Sequence, residues 1–297
     1  MEKIAIVVPT CREEKWLEFI EAWKHLFIKH KVVVFKVTDG DNPTVQGFRW
    51  LAECSMYTGQ QYTQTETLVQ VMGEYSDLIY NRNDGVRNLG FVVAYKNHAD
   101  VIITLDDDVL PVGDPIQDHL NALNKRYPIS WMNTVDEVYM RGFPYGIREE
   151  AECVLSHGTW KGVADFDAST QLVLGTPEVT TRNLPIPKGV LFPMCIMNVA
   201  FKRKMTPYMY QAPMFGDINR FADIWSGIEA KKAIDENGWC AVTGYATVEH
   251  KRASNPFTNL VKEARGVGMN ENYGEDEYFK LYEEKRKLWI EFLGGLS

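Results

Sequence analysis

The sequence lacks long apolar runs, a sorting signal and paired cysteines. No apolar run in the 297 residues approaches the roughly 18–20 residues that a membrane-spanning helix needs. The first residues, MEKIAIVVPT, do not have the basic and apolar layout of a cleavable signal peptide. The five cysteines are odd in number and form no C-x-x-C pair, which argues against a zinc ribbon or a thioredoxin-type motif. We therefore expect free thiols in a reducing compartment, and a soluble, cytoplasmic protein without a membrane partner.

An excess of basic residues is also missing. The formal net charge is −8, from 32 Lys and Arg against 40 Asp and Glu, so we do not expect a broad basic face for nucleic acid. A small anionic ligand is compatible with this balance, because it needs only a local cluster of basic side chains or a metal ion. The composition, with 45% hydrophobic and 24% charged residues, is that of a globular protein, and we predict one domain over residues 1–297.

Two acidic loops each follow a predicted buried strand. We predict a strand over KIAIVVPT (3–10), a helix over 12–27, and a second strand that closes on Asp39-Gly40-Asp41. After a helix over 86–98, DVIITL is a third strand, and it ends in Asp106-Asp107-Asp108. This alternation predicts an α/β fold, a mostly parallel sheet flanked by helices with an elaborated C-terminal half. Because ligands of such sheets bind at the carboxyl ends of strands, both acidic loops should face one crevice.

The other segments are less regular. Residues 44–75 are polar and poorly periodic, which favours an insertion such as a lid or a mobile loop. After residue 112, short strands and loops are expected until a helix over 219–238 that Gly238 ends. The tail from about residue 275 places aromatic and aliphatic side chains on one helical face. We expect this face to pack on the body of the protein or to support a homo-oligomer.

The triple aspartate concentrates charge at a strand end. Adjacent carboxylates repel one another unless they share a cation, and hard oxygen ligands at this spacing suit Mg²⁺ or Mn²⁺. The alternative is a solvated turn. Arg82 and Arg87 flank Asp84 in YNRNDGVRN, and His250 follows a late predicted strand. A neutral imidazole beside carboxylates could complete a metal site, although a packed or surface histidine is the simpler interpretation.

Six ordered sequence blocks carry a specific resemblance. YNRNDGVRNLGF, ITLDDDV, YMRGFPYGIREE, SHGTWKGVADFDASTQL, IPKGVLFPMCIMNVAF and HKRASNPFTNLVKE occur in this order over roughly residues 4–266. Together they resemble the reversibly glycosylated polypeptides, the UDP-arabinopyranose mutase family best known from plants. The resemblance implies a GT-A-like nucleotide-sugar fold, a divalent ion (Mn²⁺ or Mg²⁺) at the acidic triplet, and a UDP-sugar substrate in the cytosol.

The resemblance also implies roles for individual residues. It divides the chain into a nucleotide-binding half (1–111), a sugar and acceptor half (112–266) and a C-terminal amphipathic helix (267–297). We expect Asp108 to bind the ion with Asp106 and His250. Asp106 also leans toward the ribose, and the role of Asp107 in nucleotide binding is open. The other residues assigned to the nucleotide are Asp39, Asp41, Arg82, Asp84, Arg87 and Lys188.

The family's reversibly glycosylated arginine corresponds to Arg141 in the RGFPYGIRE block. A guanidinium is almost always protonated and therefore a poor nucleophile, so attack on an anomeric carbon needs a carboxylate that orients it and takes a proton. The candidate carboxylates are Glu149, Asp165, Asp167 and Asp223. The alternative is that Arg141 only clamps phosphate or sugar hydroxyls.

These residues predict a mutase that interconverts UDP-pyranose and UDP-furanose forms of a pentose, with reversible self-glycosylation on Arg141. A metal-dependent glycosyltransferase with a separate acceptor is the second hypothesis. A non-catalytic partner subunit that has kept the fold is the third.

Overall fold

A computed structural model describes residues 2–50, 60–131, 139–177, 182–251 and 254–296. Within these ranges the strands are β1 (Ile4–Thr10), β2 (Val33–Thr38), β3 (Thr44–Trp50), β4 (Gln60–Tyr62), β5 (Glu66–Thr67), β6 (Val101–Leu105), β7 (Val109–Pro111), β8 (Arg126–Pro128), β9 (Glu150–Gly162), β10 (Leu184–Ile186), β11 (Asn198–Lys202) and β12 (Cys240–His250). The α-helices are α1 (Glu13–His30), α2 (Leu68–Met72), α3 (Arg87–Lys96), α4 (Pro115–Leu123), α5 (Ala168–Leu174), α6 (Ala222–Glu236), α7 (Pro256–Glu271) and α8 (Glu277–Gly294). None of the described helices is long and apolar enough to cross a membrane.

The strands form a mixed sheet with the order β10-β12-β9-β11-β6-β1-β2-β3-β4. The described pairs β1/β2, β1/β6 and β9/β12 are parallel, and the other described pairs are antiparallel. The α/β prediction is therefore confirmed, whereas the mostly parallel sheet is corrected to a mixed one. The parallel pair β1/β2 follows from the helical crossover α1. The turn between β2 and β3 is too short for such a crossover, so these strands pair antiparallel.

The ends of the strands define the two ends of the sheet. We call the end at which β1, β2 and β6 finish the carboxyl end of the sheet. Because β11 runs antiparallel to β6 and β9 runs antiparallel to β11, the last residues of β9 and of its parallel neighbour β12 also lie at this end. The last residues of five strands thus lie at this end, which is where ligands bind in α/β sheets.

Two apolar layers cover the sheet. On one face, α1 places Trp16, Phe19, Trp23 and Phe27 against β1, β2 and β3 in a series of ring contacts. The other face is covered by α3, α6 and α8, which share one buried cluster. These layers fix the sheet rigidly beneath the loops at its carboxyl end.

The structure corrects two expectations about irregular segments and agrees with one about the C-terminal tail. Residues 44–75 include β3, which is paired with β2 within the sheet, so their described part is not an insertion; residues 51–59 lie outside the described ranges. The segment after residue 112 contains the 13-residue strand β9 rather than only short strands. Two helices, α7 and α8, occupy the region 256–294, and the aromatic face of α8 packs on the body of the same chain. The surface proposed for a homo-oligomer is therefore used within the chain.

Candidate active site

The three consecutive aspartates after β6 have three different environments. The side chain of Asp106 is paired with Arg87, that of Asp107 with Arg12, and that of Asp108 lies between Arg12 and His250. The chain turns sharply here because β6 ends at residue 105 and β7 begins at residue 109. The turn points successive carboxylates in different directions, so the charge is distributed over separate partners instead of one shared site.

Arg87 forms an ion pair with the carboxylate of Asp106. Its side chain is buried at the first position of α3, and its guanidinium bonds the Oδ1 atom of Asp106 and the hydroxyl of Thr104, the latter at 2.8 Å. The same guanidinium lies 3.7 Å from the carboxylate of Asp84. The prediction that Arg87 and Asp84 lie at one site with the triplet is consistent with this geometry, although Arg87 contacts the protein's own carboxylates.

Asp107 is a structural residue of the turn. It is 5% exposed, and its Oδ2 atom accepts hydrogen bonds from the Thr10 hydroxyl at 2.6 Å and from Arg12 Nε at 3.2 Å. Thr10 is the last residue of β1 and Arg12 lies two residues further on, so this carboxylate connects the end of β1 to the end of β6. Its oxygens are directed into the protein, which leaves the role in nucleotide binding as an untested prediction.

Asp108 and His250 form a pair that could hold a metal ion. His250 Nε2 lies 4.0 Å from Asp108 Oδ1. His250 Nδ1 lies 3.1 Å from the carbonyl oxygen of Val163, which can only accept a hydrogen bond. Nδ1 must therefore carry the proton, and in the neutral ring Nε2, which lies 4.0 Å from Asp108 Oδ1, has a free lone pair. Metal-binding histidines are commonly fixed by this type of backbone hydrogen bond.

The separation of these two atoms lies within the range that one small divalent ion can bridge. Ligand atoms that each lie about 2.1 Å from one ion are between about 3 and 4.2 Å apart, depending on the angle at the ion. Arg12 Nη2 approaches the second oxygen of Asp108 at 3.1 Å and balances part of the negative charge. The donor set of one carboxylate and one imidazole is compatible with Mn²⁺ or Mg²⁺, with Mn²⁺ favoured by the nitrogen ligand.

The Asp39 loop lies at the same end of the sheet. Oδ1 of Asp39 accepts a hydrogen bond from the backbone N–H of Arg82 at 2.7 Å, and the Arg82 side chain pairs with Asp41. Arg82 has φ 60°, a left-handed conformation that is uncommon for a residue other than glycine. Such conformations concentrate at functional sites because the surrounding structure enforces them. The structure therefore brings Asp39, Asp41 and Arg82 together, as the sequence suggested.

A second group of acids lies beside the triplet on the α6 side. One ligand atom each of Asp165, Cys195 and Asp223 lies within 4.8 Å of the others. Burial raises the pKa of Asp223 well above its ordinary value, and the nearby charges of Asp84 and Asp165 raise it further. Partial desolvation also raises the pKa of Asp84, whose side chain is 43% exposed, and the charge of Arg87 opposes this rise. We call Asp84, Asp165 and Asp223 the acidic pocket; the raised pKa values of Asp84 and Asp223 favour the protonated form of these two side chains.

Arg220 and Glu263 form one wall of this pocket. Arg220 Nε donates to Glu263 Oε1 at 2.8 Å, and the other oxygen of Glu263 accepts the backbone N–H of Ala168 at 2.7 Å. The ion pair joins α7 to the beginnings of α5 and α6. Arg220 has φ 63°, a second left-handed residue at this end of the sheet.

Two further predicted residues have other surroundings. Asp167 caps the start of α5, because its carboxylate accepts from the backbone N–H of Thr170 at 2.9 Å and from the hydroxyl of the same residue at 2.6 Å. Lys188 is exposed just after β10, whose Ile186 pairs with Ala241 near the beginning of β12. Lys188 thus lies at the end of the sheet opposite His250. Its assignment to the nucleotide is not supported by this position.

Glu149 and Arg141 also lie away from the acidic pocket. Glu149 is exposed directly before the first residue of β9, at the end of the sheet opposite the triplet. Arg141 is exposed in a turn, and its side chain makes no hydrogen bond or ion pair with a described residue. The structure therefore does not bring Arg141 together with Asp165 or Asp223 of the same chain.

Three residues at the site were missed at the sequence level. Arg12 neutralises two of the aspartates and directly follows β1, so the rule that ligands bind at carboxyl ends of strands could have indicated it. Cys195 precedes β11, an antiparallel strand whose position in the sheet no local pattern reveals. Glu263 reaches the site from α7, and its spacing along that helix carries no signal for a tertiary ion pair.

Comparisons with known proteins give the chain its family. The fold and the site describe an α/β protein with clustered carboxylates and one histidine at the carboxyl end of its sheet. The model of the family "Reversibly glycosylated polypeptide" matches residues 1–279, and the chain belongs to this family.

Relatives and solved structures add the following similarities. UDP-arabinopyranose mutase 3 of Arabidopsis thaliana is 34% identical over 291 residues, covering 91% of this chain and 76% of the relative. A probable UDP-arabinopyranose mutase 1 of Pisum sativum is also 34% identical, over 295 residues, with the same coverage of 91% and 76%. The glucosyl-3-phosphoglycerate synthase of Mycobacterium tuberculosis, crystallised with Mn²⁺, UDP and phosphoglyceric acid, superposes with a TM-score of 0.49 at 12% identity, covering 93% of this chain and 80% of that one.

Proposed function

We propose that this protein is a UDP-sugar mutase with a GT-A-like nucleotide site, which interconverts the pyranose and furanose forms of a UDP-linked pentose such as arabinose. The observation that carries the proposal is the pair of Asp108 and His250 at the carboxyl end of the sheet, with the ring of His250 fixed by Val163. Relatives that are about one-third identical over 91% of the chain are named as UDP-arabinopyranose mutases, which supports the substrate class.

Asp108 and His250 would hold the divalent ion, with Asp106 as a further ligand when its pair with Arg87 opens. When bound, such an ion neutralises a diphosphate and favours its departure from the anomeric carbon. The Asp39 loop and Arg82 would contact the uridine and ribose, because they lie at the end of the neighbouring strand β2. With these assignments, the diphosphate would lie between the triplet and the beginning of α3.

The acidic pocket suits the proton movements of ring interconversion. When a pyranose becomes a furanose, the old ring oxygen gains a proton and a hydroxyl group loses one as it closes the new ring. Carboxylates that share protons can supply the first proton and accept the second. Asp223, whose pKa is raised, is the proton donor in this scheme, and Asp165 is the acceptor. The order that balances begins with the break of the bond between the anomeric carbon and UDP. The C4 hydroxyl then bonds to this carbon and gives its proton to Asp165. The bond to the old ring oxygen breaks last, as that oxygen takes a proton from Asp223 and UDP bonds to the anomeric carbon again, so no atom is gained or lost.

A product analysis tests the proposed reaction. Purified protein is incubated with UDP-arabinopyranose and Mn²⁺ alone, and nucleotide sugars are separated by chromatography. We expect a new UDP-arabinofuranose peak. Release of free sugar and UDP, with sugar transfer only after an acceptor is added, would support the glycosyltransferase alternative and contradict the mutase.

A binding experiment tests the metal site independently of turnover. Calorimetric titration of Mn²⁺ in the presence of UDP should show at least about 100-fold weaker binding for Asp108→Asn and His250→Ala, because each variant removes a ligand. Glu21→Gln, on the exposed face of α1, is the control and should bind as the wild type does. Wild-type protein that binds neither UDP nor Mn²⁺ would favour the non-catalytic subunit.

A further inference from the structure

Arg12 lies at a position where a helix normally carries a different type of residue. It is the N-cap of α1, and its side chain caps no backbone N–H group of the helix. Short polar side chains such as serine and aspartate are preferred at this position, and a cation is disfavoured by the positive end of the helix dipole. Natural sequences break such local rules mainly at functional sites. The mismatch points to a role for Arg12 outside the helix.

The guanidinium of Arg12 is directed at the acidic triplet. Its Nε donates to Oδ2 of Asp107 at 3.2 Å, and its Nη2 bonds Oδ1 of Asp107 and, at 3.1 Å, Oδ2 of Asp108. The backbone N–H of Arg12 donates to the Thr10 hydroxyl at 3.1 Å, and this hydroxyl in turn donates to Asp107. Asp107 thus fixes both the chain turn after β1 and the side chain of Arg12.

Part of the hydrogen-bonding capacity of this guanidinium is unused. Nε and Nη2 of Arg12 make the contacts to Asp107 and Asp108, whereas Nη1 meets no acceptor among the described residues. The Arg12 side chain is 35% exposed, whereas that of Arg87, which pairs with Asp106, is only 2% exposed. Of the two arginines that the described structure pairs with the triplet, Arg12 is therefore the one open to a bound nucleotide.

Arg12 and a divalent ion at Asp108 make opposing demands on one carboxylate. Oδ2 of Asp108 accepts from Arg12, while Oδ1 lies 4.0 Å from Nε2 of His250, the other proposed ligand of the ion. The guanidinium and the ion would thus be separated by little more than the carboxylate itself. Like charges this close repel, and partial burial weakens the screening by water. A diphosphate offsets both charges, because its oxygens accept from a guanidinium and also bind divalent ions.

We propose that Arg12 makes binding of the divalent ion depend on the nucleotide. Without UDP, the guanidinium opposes an ion at Asp108. With UDP, Nη1 of Arg12 donates to the diphosphate, whose negative charge offsets the guanidinium, while Asp107 keeps the side chain at the site. During interconversion the departed UDP stays bound to Arg12, ready to re-form its bond to the anomeric carbon. This inference rests on the proposed function, because it takes Asp108 and His250 as the ion ligands and UDP as the nucleotide.

Calorimetric titration with and without UDP tests this coupling. Mn²⁺ is titrated into wild-type protein and into Arg12→Gln, first alone and then with saturating UDP. Without UDP, Arg12→Gln should bind Mn²⁺ about tenfold more tightly than the wild type does, because the opposing charge is removed. The gain in Mn²⁺ affinity that UDP causes should be at least about tenfold smaller in the variant. Loss of a merely structural contact would not raise the affinity for Mn²⁺.

Two further variants separate the charge of Arg12 from general effects. Arg12→Lys keeps a positive charge, so its Mn²⁺ affinity without UDP should stay within about threefold of the wild type. An affinity of Arg12→Lys as high as that of Arg12→Gln would contradict the electrostatic role. Lys287→Gln on α8 removes the same charge from an exposed ion pair with Glu283, and both affinities should stay unchanged.

The remaining outcomes distinguish this inference from the proposed function. Wild-type protein that binds Mn²⁺ equally well with and without UDP would overturn the inference without any variant. So would weaker Mn²⁺ binding by Arg12→Gln in the absence of UDP; in both cases the proposed function stands if wild-type protein forms UDP-arabinofuranose. Wild-type protein that binds no Mn²⁺ with UDP and forms no furanose would overturn both together.

Discussion

At the scale of residues, three adjacent aspartates are compatible with a folded protein because they do not share one environment. Asp106 faces the buried Arg87, Asp107 faces Arg12 and Thr10, and Asp108 faces His250. Each carboxylate is therefore offset by a different donor, and only Asp108 has a geometry that suits a metal ion. Within the triplet, Asp107 stabilises the turn, whereas Asp108 is the candidate metal ligand.

This difference in environment predicts that one substitution lowers stability, whereas its neighbour lowers metal affinity. Asp107→Asn removes the charge that pairs with Arg12, and we expect the free energy of unfolding to fall by about 1–3 kcal/mol, less than for a fully buried pair because Arg12 is partly exposed. Asp108→Asn should change stability by no more than about 0.5 kcal/mol while weakening Mn²⁺ binding. Urea unfolding and calorimetry measure the two quantities. Equal loss of stability in both variants would contradict the assignment of Asp107 as the structural member.

The raised pKa of Asp223 predicts a pH-dependent stability. An aspartate that holds its proton more tightly in the folded state contributes fully below the unfolded pKa of about 3.9, and its contribution is lost as the pH rises toward the folded pKa. Wild-type protein should therefore lose stability relative to Asp223→Asn as the pH rises from about 4 to 8. Urea unfolding across this range measures the difference. A flat difference between wild type and Asp223→Asn across this range would rule out the raised pKa.

At the scale of elements, the predictable parts were those in which a local pattern decides the structure. Strand β1, helix α1 and strand β6 were located from apolar spacing, and the aspartates at the end of β6 followed from their sequence alone. The positions of β9 and β11 were not predictable, because their place in the sheet depends on pairing between residues far apart in sequence. The place of Arg141 was missed for the same reason, since it is set by β8, β9 and the contact of Phe143 with Trp131.

Helix α7 offers a matched pair of glycines for testing how the wall of the acidic pocket is held. A Cβ atom at Gly266 would overlap the buried ring of Phe221, whereas one at Gly268 meets nothing within 4 Å. Gly266→Ala should lower the free energy of unfolding by about 1–3 kcal/mol, because the helix must move away from Phe221 and from Arg220. Gly268→Ala should raise it by about 0.5–1 kcal/mol through helix propensity. Thermal and urea unfolding compare them; similar effects would show that α7 is not tightly packed there.

At the scale of the whole molecule, the two ends of the sheet carry different candidate functional residues. The carboxyl end gathers the acidic loops, His250 and the acidic pocket, while the opposite end presents the loop with Arg141. The surface that the sequence suggested for self-association, the aromatic face of α8, is not free for it, because this face is part of the core.

The role of α8 in the core leads to a test that separates folding from assembly. The indole of Trp289 is fully buried, lies 5.4 Å from the ring of Tyr210, and donates a hydrogen bond to the carbonyl oxygen of Thr206 at 3.1 Å. Trp289→Ala should therefore lower the free energy of unfolding by about 3–5 kcal/mol. Ile290, the next residue, is 40% exposed, and Ile290→Ala should cost no more than about 1 kcal/mol. If α8 instead mediated self-association, Ile290→Ala would alter sedimentation at constant stability, and Trp289→Ala would change both together.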